Sequence, residues 1–227
     1  ELAISAPSAA AEVGTTPLGL GERLFINRDY AWRDGLLHVP AVYSKESPAP
    51  LLVWLHGGGG HARDARGLFP IAEQYGVVVL ALDSRHNTWD GIDSPFGPDV
   101  LYLQRAIQHV AERIAIDPRR LALGGLSDGG SYALALGRSN GDLFSHLIGV
   151  APWRLSPPSQ PVGKPRILIA HGRQDTVYPE WHSRRFLAPG LAKEGYDVTY
   201  FPFDGPHWVT EVAGDEIMRW LVGSADD

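Results

Sequence analysis

A mostly parallel, doubly wound α/β sheet of about eight strands is the fold this sequence predicts. Short apolar runs alternate with longer amphipathic stretches from residue 22 onward. The central runs are continuously apolar rather than alternating, as expected of strands covered on both faces. The polar residues with chemical potential cluster just beyond the ends of these runs, where ligands gather in such sheets.

Taken in order, strands are expected over 23–26, 36–40, 51–55, 77–82, 121–126, 147–151, 167–170 and 198–203. The first two read as an antiparallel hairpin at one sheet edge. Helices are expected over 62–75, 98–114, 128–138, 180–193 and 209–222. In the second of these, Val100, Leu103, Ile107, Val110 and Ile114 recur at spacings of three and four, one face of a helix. Pro98 suits its first position and Asp99 its first turn. Residues 1–21 are rich in Ala, Ser, Thr, Pro and Gly without any period, so they read as a flexible leader. That leaves 22–227 as a single domain. The leader is not an intact signal peptide, having no basic start and no long apolar stretch. Its composition favours an exported chain from which a signal has been removed.

Composition excludes several functions. The 227 residues carry a net charge of −6 and no block of Lys or Arg, which argues against nucleic acid as a partner. The longest apolar runs, 51–55 and 77–82, are far short of the roughly 18 residues of a membrane span. With no cysteine, disulfides, thiolate metal sites and cysteine nucleophiles are excluded together.

The segment Gly125-Leu126-Ser127-Asp128-Gly129 matches G-x-S-x-G, a tight strand-to-helix turn that lifts a serine hydroxyl above a sheet edge. An apolar strand precedes it and a helical stretch follows. Such a serine needs a base and an acid that orients the base. Asp175 follows the strand 167–170 and His207 follows the strand 198–203, in the chain order that architecture uses. The rival acid, Asp204, lies three residues before His207 and more naturally shapes the turn. His171 reads as a residue that packs or hydrogen-bonds within its loop, and Asp128 suits the helix dipole.

Directly after the strand 51–55 comes His56-Gly57-Gly58-Gly59-Gly60. Glycines let backbone N–H groups approach a developing oxyanion, and the pattern matches an esterase oxyanion loop. The two donors are assigned to the N–H groups of Gly58 and Asp128, with His56 bracing the loop. Gly57, Trp89, Trp153, Trp181 and Trp208 fall near strand ends and are candidates for lining a substrate pocket. No metal site is expected, since His56 and His61 stand five apart in a glycine-rich loop and no H-E-x-x-H occurs.

These motifs together resemble the α/β-hydrolase superfamily, and within it the compact esterases grouped with polyhydroxybutyrate depolymerases, feruloyl esterases and phospholipase/carboxylesterases. The resemblance covers about residues 35–221 and includes 116–120 leading into the serine turn, His171-Gly172 with Asp175, and Gly205-Pro206-His207. It implies cofactor-independent hydrolysis of a small-molecule carboxylic ester through an acyl-enzyme. Thioesterases, lysophospholipases and polyester or feruloyl esterases share that machinery. Asp128 departs from the Gln, Ala or Met that related enzymes often carry there. Asp175 follows Ser127 by only 48 positions, so no sizeable lid is expected.

Overall fold

The computed structural model describes residues 7, 11–26, 28–92, 94–155 and 160–223. Its centre is an eight-stranded sheet in the order β1-β4-β6-β5-β7-β8-β9-β10. These strands are β1 (Gly14–Pro17), β4 (Gly35–Val39), β5 (Ala49–Leu55), β6 (Val78–Leu82), β7 (Ile116–Leu126), β8 (His146–Val150), β9 (Arg166–Gly172) and β10 (Val198–Phe203). From β6 to β10 all neighbours are parallel; β4 runs antiparallel to β6, and β1 antiparallel to β4.

The apolar runs are continuous because each strand is buried on both sides. Leu51, Val53 and Leu55 of β5 pack with α2 (Pro98–Ala111), α3 (Asp128–Arg138) and α5 (Ala188–Lys193). Leu52 and Trp54 face the opposite way, towards α1 (Phe69–Tyr75) and α6 (Glu211–Gly223). A 3₁₀ stretch, Ala62–Leu68, leads into α1. The stretch expected as one helix over 180–193 comprises α4 (Glu180–His182), a π-helical turn (Ser183–Leu187) and α5.

The amino-terminal part differs from the sequence expectation in two ways. The strand 22–26 (β2, Glu22–Ile26) does not pair with β4. It pairs with β3 (Asp29–Arg33) in a separate two-stranded sheet, because β3 follows after two residues and supplies a nearer antiparallel partner. The expected leader also contains β1, which adds an edge strand to the main sheet. Its Thr15 hydroxyl meets His38 Nδ1 at 2.9 Å, and the N–H groups of Gly19 and Leu20 donate to the Asp34 carboxylate. Four residues of Gly, Thr and Pro carry too little apolar pattern to announce a strand; backbone pairing along β4 forms it. The remainder of the leader expectation, 1–6 and 8–10, lies outside the described residues. Among the described residues between β8 and β9, no helix or strand is inserted.

His146 on β8 is 2% exposed. Burial, with Arg166 beside it, depresses its imidazole to about 4. The unfolded chain therefore takes up this proton near pH 6.5 while the folded chain does not. The stability that results is complete above pH 6.5 and is lost as pH falls towards 4, by roughly 3 kcal/mol. Urea unfolding of His146→Gln should show a shallower loss of stability between pH 7 and 4.5 than the wild type. An equally steep loss would assign the acid sensitivity to other groups.

Candidate active site

Ser127 sits between β7 and α3 with φ 56° and ψ −117°, a left-handed conformation that is rare outside glycine and recurs at functional turns. Its N–H donates to Val150 O at 2.8 Å, and its carbonyl accepts from Ser131 N–H and Ser131 Oγ. The turn is possible only because two backbones pass closely. A Cβ at Gly129 would fall within 2.5 Å of His56 O and closer still to Leu55 O. One at Gly125 would lie 2.6 Å from Leu55 O. Glycine at both positions therefore allows the helix start to press against the end of β5.

Asp175 lies beyond β9 with its side chain fully buried. One oxygen, Oδ1, accepts the N–H groups of Val177 and Tyr178, both at 2.8 Å. The other, Oδ2, meets His207 Nδ1 at 2.6 Å. Burial opposes the charge, but these hydrogen bonds outweigh it and hold the carboxyl below its usual range. Since Oδ2 is an acceptor, His207 carries its proton on Nδ1 and leaves Nε2 free to act as a base. The imidazole also meets the Tyr178 ring in a T-shaped contact, centroids 5.3 Å apart, and Tyr178 itself stacks on Trp153 at 5.2 Å. Asp204 instead pairs with Arg173 at the surface.

Ser127, His207, Gly57, Gly58 and Asp128 all line one cleft of about 890 Å³. Ser127 and His207 share no hydrogen bond among the described residues; such contacts commonly tighten when substrate seats. Gly59 N–H is bound to Asn87 O and Gly60 N–H to Gly57 O. No described hydrogen bond takes the Gly58 N–H, and Asp128 N–H belongs to the first turn of α3, where helix donors lack intrahelical acceptors. Asp128 Oδ2 accepts from Thr88 Oγ1 at 2.7 Å and lies so close to Gly58 that a Cβ there would meet it at 2.6 Å.

His56 braces the loop. Ser84 N–H donates to its Nε2 at 3.0 Å, and its Nδ1 meets Gly57 O at 2.6 Å. Burial pushes it down to about 4, so it is neutral at pH 7. Arg33, which the sequence reading passed over, donates to Gly60 O, Ser84 O, Ser84 Oγ and His86 O. An arginine at the end of a hairpin strand gave no signal of its reach.

The tryptophans divide. Trp208 lines the cleft. Trp89 does not: it is 1% exposed, donates its indole N–H to His56 O at 2.8 Å, and packs on His56 and Tyr132. Its place after a strand end reflects loop support, not substrate contact. Trp153 stands one ring behind the cleft, on Tyr178. Trp181 lies outside the lining, against His182 and Phe186. Trp54, Leu68, Ile71 and Val209 form an apolar side of the cleft that sequence reasoning missed. They come from a strand, a 3₁₀ stretch, a helix and a loop distant in sequence, so no local pattern marks them. Among the described residues no group of three or more His, Cys, Asp or Glu is arranged to hold a metal ion, and no helix is long and apolar enough to cross a membrane.

Comparison with known proteins places the architecture: the chain has the α/β-hydrolase fold. Esterase PE8 superposes with a TM-score of 0.67 at 22% identity, over 84% of this chain and 98% of that one. The S-formylglutathione hydrolase FrmB of Staphylococcus aureus gives 0.67 at 14% identity, over 94% and 99%. Esterase 2 of Thermogutta terrifontis, solved phosphonylated by cyclosarin, gives 0.65 at 18%, over 97% and 96%. In sequence, the chain is 28% identical over 141 residues to NocK of Nocardia uniformis subsp. tsuyamanensis, a protein named as a candidate esterase. That match takes in 57% of this chain and spans 41% of the relative's length. No family model matches.

The backbone approach at Gly129 gives a direct test. Gly129→Ala should lower both the melting temperature and catalytic rate, since overpacking of this kind costs about 1–3 kcal/mol and displaces Ser127 with it. Thermal melts and assays on one preparation check it; unchanged stability would mean that the two backbones separate without cost.

Proposed function

We propose that the chain is a serine hydrolase of carboxylic esters, acting through Ser127, His207 and Asp175 as one catalytic unit in a single domain that includes β1. The observation that carries this reading is the buried Asp175–His207 hydrogen bond, with His207 and a serine in a strained strand-to-helix turn lining one cleft. Its likeness to structures named as esterases and S-formylglutathione hydrolases supports the same class.

In this reading His207 Nε2 takes the Ser127 proton as Oγ attacks the ester carbonyl. The oxyanion that forms is held by the N–H groups of Gly58 and Asp128, each such donor contributing about 3 kcal/mol in the transition state. Collapse of the tetrahedral intermediate expels the alcohol, which receives the proton from His207, and leaves an acyl-Ser127. Water, deprotonated by His207, then attacks the acyl carbonyl and releases the acid. Asp175 remains ionised throughout and stabilises the imidazolium. The apolar side formed by Trp54, Leu68, Ile71 and Val209 suits the hydrocarbon part of an ester, with Trp208 at the rim.

A fluorophosphonate probe should label the wild-type protein and fail to label Ser127→Ala. The same variant should lose ester turnover by several orders of magnitude, with a residual of ~10³-fold over water from the oxyanion donors and substrate positioning. Near-normal turnover by Ser127→Ala would place the nucleophile elsewhere. A panel of p-nitrophenyl esters of graded chain length, beside an acyl-thioester and a feruloyl ester, separates the possible leaving groups.

The two acids separate in a second test. Asp175→Asn should keep the fold and lower kcat by ~10⁴-fold, because the amide no longer holds the useful tautomer of His207. Asp204→Asn removes only an exposed pair with Arg173 and should leave kcat within about twofold, in keeping with the small worth of surface ion pairs. The reverse order of effects would reassign the acid.

A further inference from the structure

His171 is the penultimate residue of β9, with its side chain fully buried and both ring nitrogens engaged. Nε2 lies 3.1 Å from Asp175 Oδ2 and 3.0 Å from Tyr178 O. Both are acceptors, so the ring must carry its proton on Nε2 and share it between them. Nδ1 is then an acceptor, and Ser183 Oγ stands 2.8 Å from it to donate. The opposite tautomer would aim a lone pair at two oxygens and leave an N–H facing a hydroxyl. Ser183 is itself buried and opens the π-helical turn, a widening of the helix that recurs near functional sites.

We infer that His171, held in one tautomer by Ser183, is a positioning residue for the catalytic acid. This rests on the proposed triad. Asp175 Oδ2 receives two imidazole N–H groups at once, from His207 at 2.6 Å and His171 at 3.1 Å, while Oδ1 is pinned by two backbone N–H groups. The carboxylate is thereby fixed at both ends, and the lone pair left to His207 has one direction. The second imidazole also draws off part of the charge on Oδ2, which limits how strongly Asp175 stabilises protonated His207. The groups whose charges face His171 are Asp175, His207 and Glu180. Burial, the largest influence, depresses the His171 imidazole against the opposing pull of Tyr178 O and Asp175, in keeping with a neutral ring that donates one proton and accepts another.

The consequence is a defined pH signature. Without the His171 donor, Oδ2 becomes a stronger acceptor for His207, and a higher pH is needed to free the base. His171→Leu should lower kcat about 10- to 100-fold, the worth of a hydrogen bond to a charged group, with KM changed less than about twofold. Its rising pH–rate limb should move alkaline by about half a pH unit to one. His171→Gln restores an N–H directed at Asp175 and should recover most of the rate and the wild-type limb. Ser183→Ala should shift the limb the same way by a smaller amount.

The measurement is kcat and KM for p-nitrophenyl acetate from pH 5 to 9, on proteins whose thermal melts match the wild type. A wild-type limb and rate in folded His171→Leu, beside an inactive Asp175→Asn, would overturn the role of His171 and leave the triad standing. Full activity in Asp175→Asn would overturn the triad itself. Should His171→Leu not fold, Ser183→Ala and His171→Gln decide: an unmoved limb in Ser183→Ala overturns the inference, and an alkaline shift that His171→Gln lacks supports it.

Discussion

The close passage of two backbones, the start of α3 against the end of β5, is the constraint on which the site depends. Gly129 lies against the carbonyls of Leu55 and His56, and Gly57 comes near enough that a Cβ on it would sit 3.4 Å from that of Ser127. One contact thus brings together two parts that are some seventy positions apart in the chain, the glycine loop and the serine turn. Neighbouring parallel strands β5 and β7 supply the framework, since Leu55 is paired with Gly125 in the sheet register. The serine and the loop proposed to stabilise its oxyanion are then adjacent because their strands are adjacent. Oxyanion stabilisation depends on donors already in place before charge develops, and strand register is a rigid way to place them.

A glycine loop is permissive, so something else must hold it. His56, Arg33 and Trp89 do so from behind. His56 accepts from Ser84 and its ring reaches Gly57 O; Trp89 fixes His56 O; Arg33 clamps Gly60 O and the backbone beyond β6. Burial lowers Arg33 from its ordinary value, a cost offset by a full set of acceptors around the guanidinium. The small sheet of β2 and β3 is therefore tied to the loop through one side chain.

The central strands were legible in the sequence because burial on both faces leaves a continuous apolar run, and the serine turn because steric crowding demands glycine at fixed offsets. Asp175 and His207 were legible for a related reason: both stand immediately beyond strands whose ends converge. What escaped detection depends on contacts distant in sequence. β1 is a strand because β4 offers it a partner, not because Gly-Thr-Thr-Pro has strand character. Trp89 resembles a pocket residue from its position after β6, yet its indole is directed inward by the His56 carbonyl. The apolar side of the cleft joins Trp54, Leu68, Ile71 and Val209 across four elements, a grouping that only the fold creates. His171 could be read only as a residue that packs or hydrogen-bonds within its loop, since its three partners, Ser183, Asp175 and the Tyr178 carbonyl, are revealed by the fold.

Asp175 and His207 illustrate how much of a side-chain arrangement the backbone decides. β9 and β10 pair in parallel register with Phe203 opposite Gly172. Beyond that point the loops remain joined, Arg173 N–H donating to Phe203 O at 2.8 Å and Gln174 N–H to Gly205 O at 3.0 Å. A Cβ at Gly172 would meet Pro206 O at 2.5 Å, so the two loops cross with no room for a side chain between them. Asp175 and His207 emerge from this crossing within hydrogen-bonding distance, and little rotamer freedom has to be given up to join them. Ser127, by contrast, is held in a conformation that costs about 1–3 kcal/mol, and Val150 O and Ser131 restrain it there. The strain falls on the residue proposed to be the nucleophile, whose hydroxyl must stand clear of the sheet, and the relaxed geometry falls on the pair that has only to stay in place.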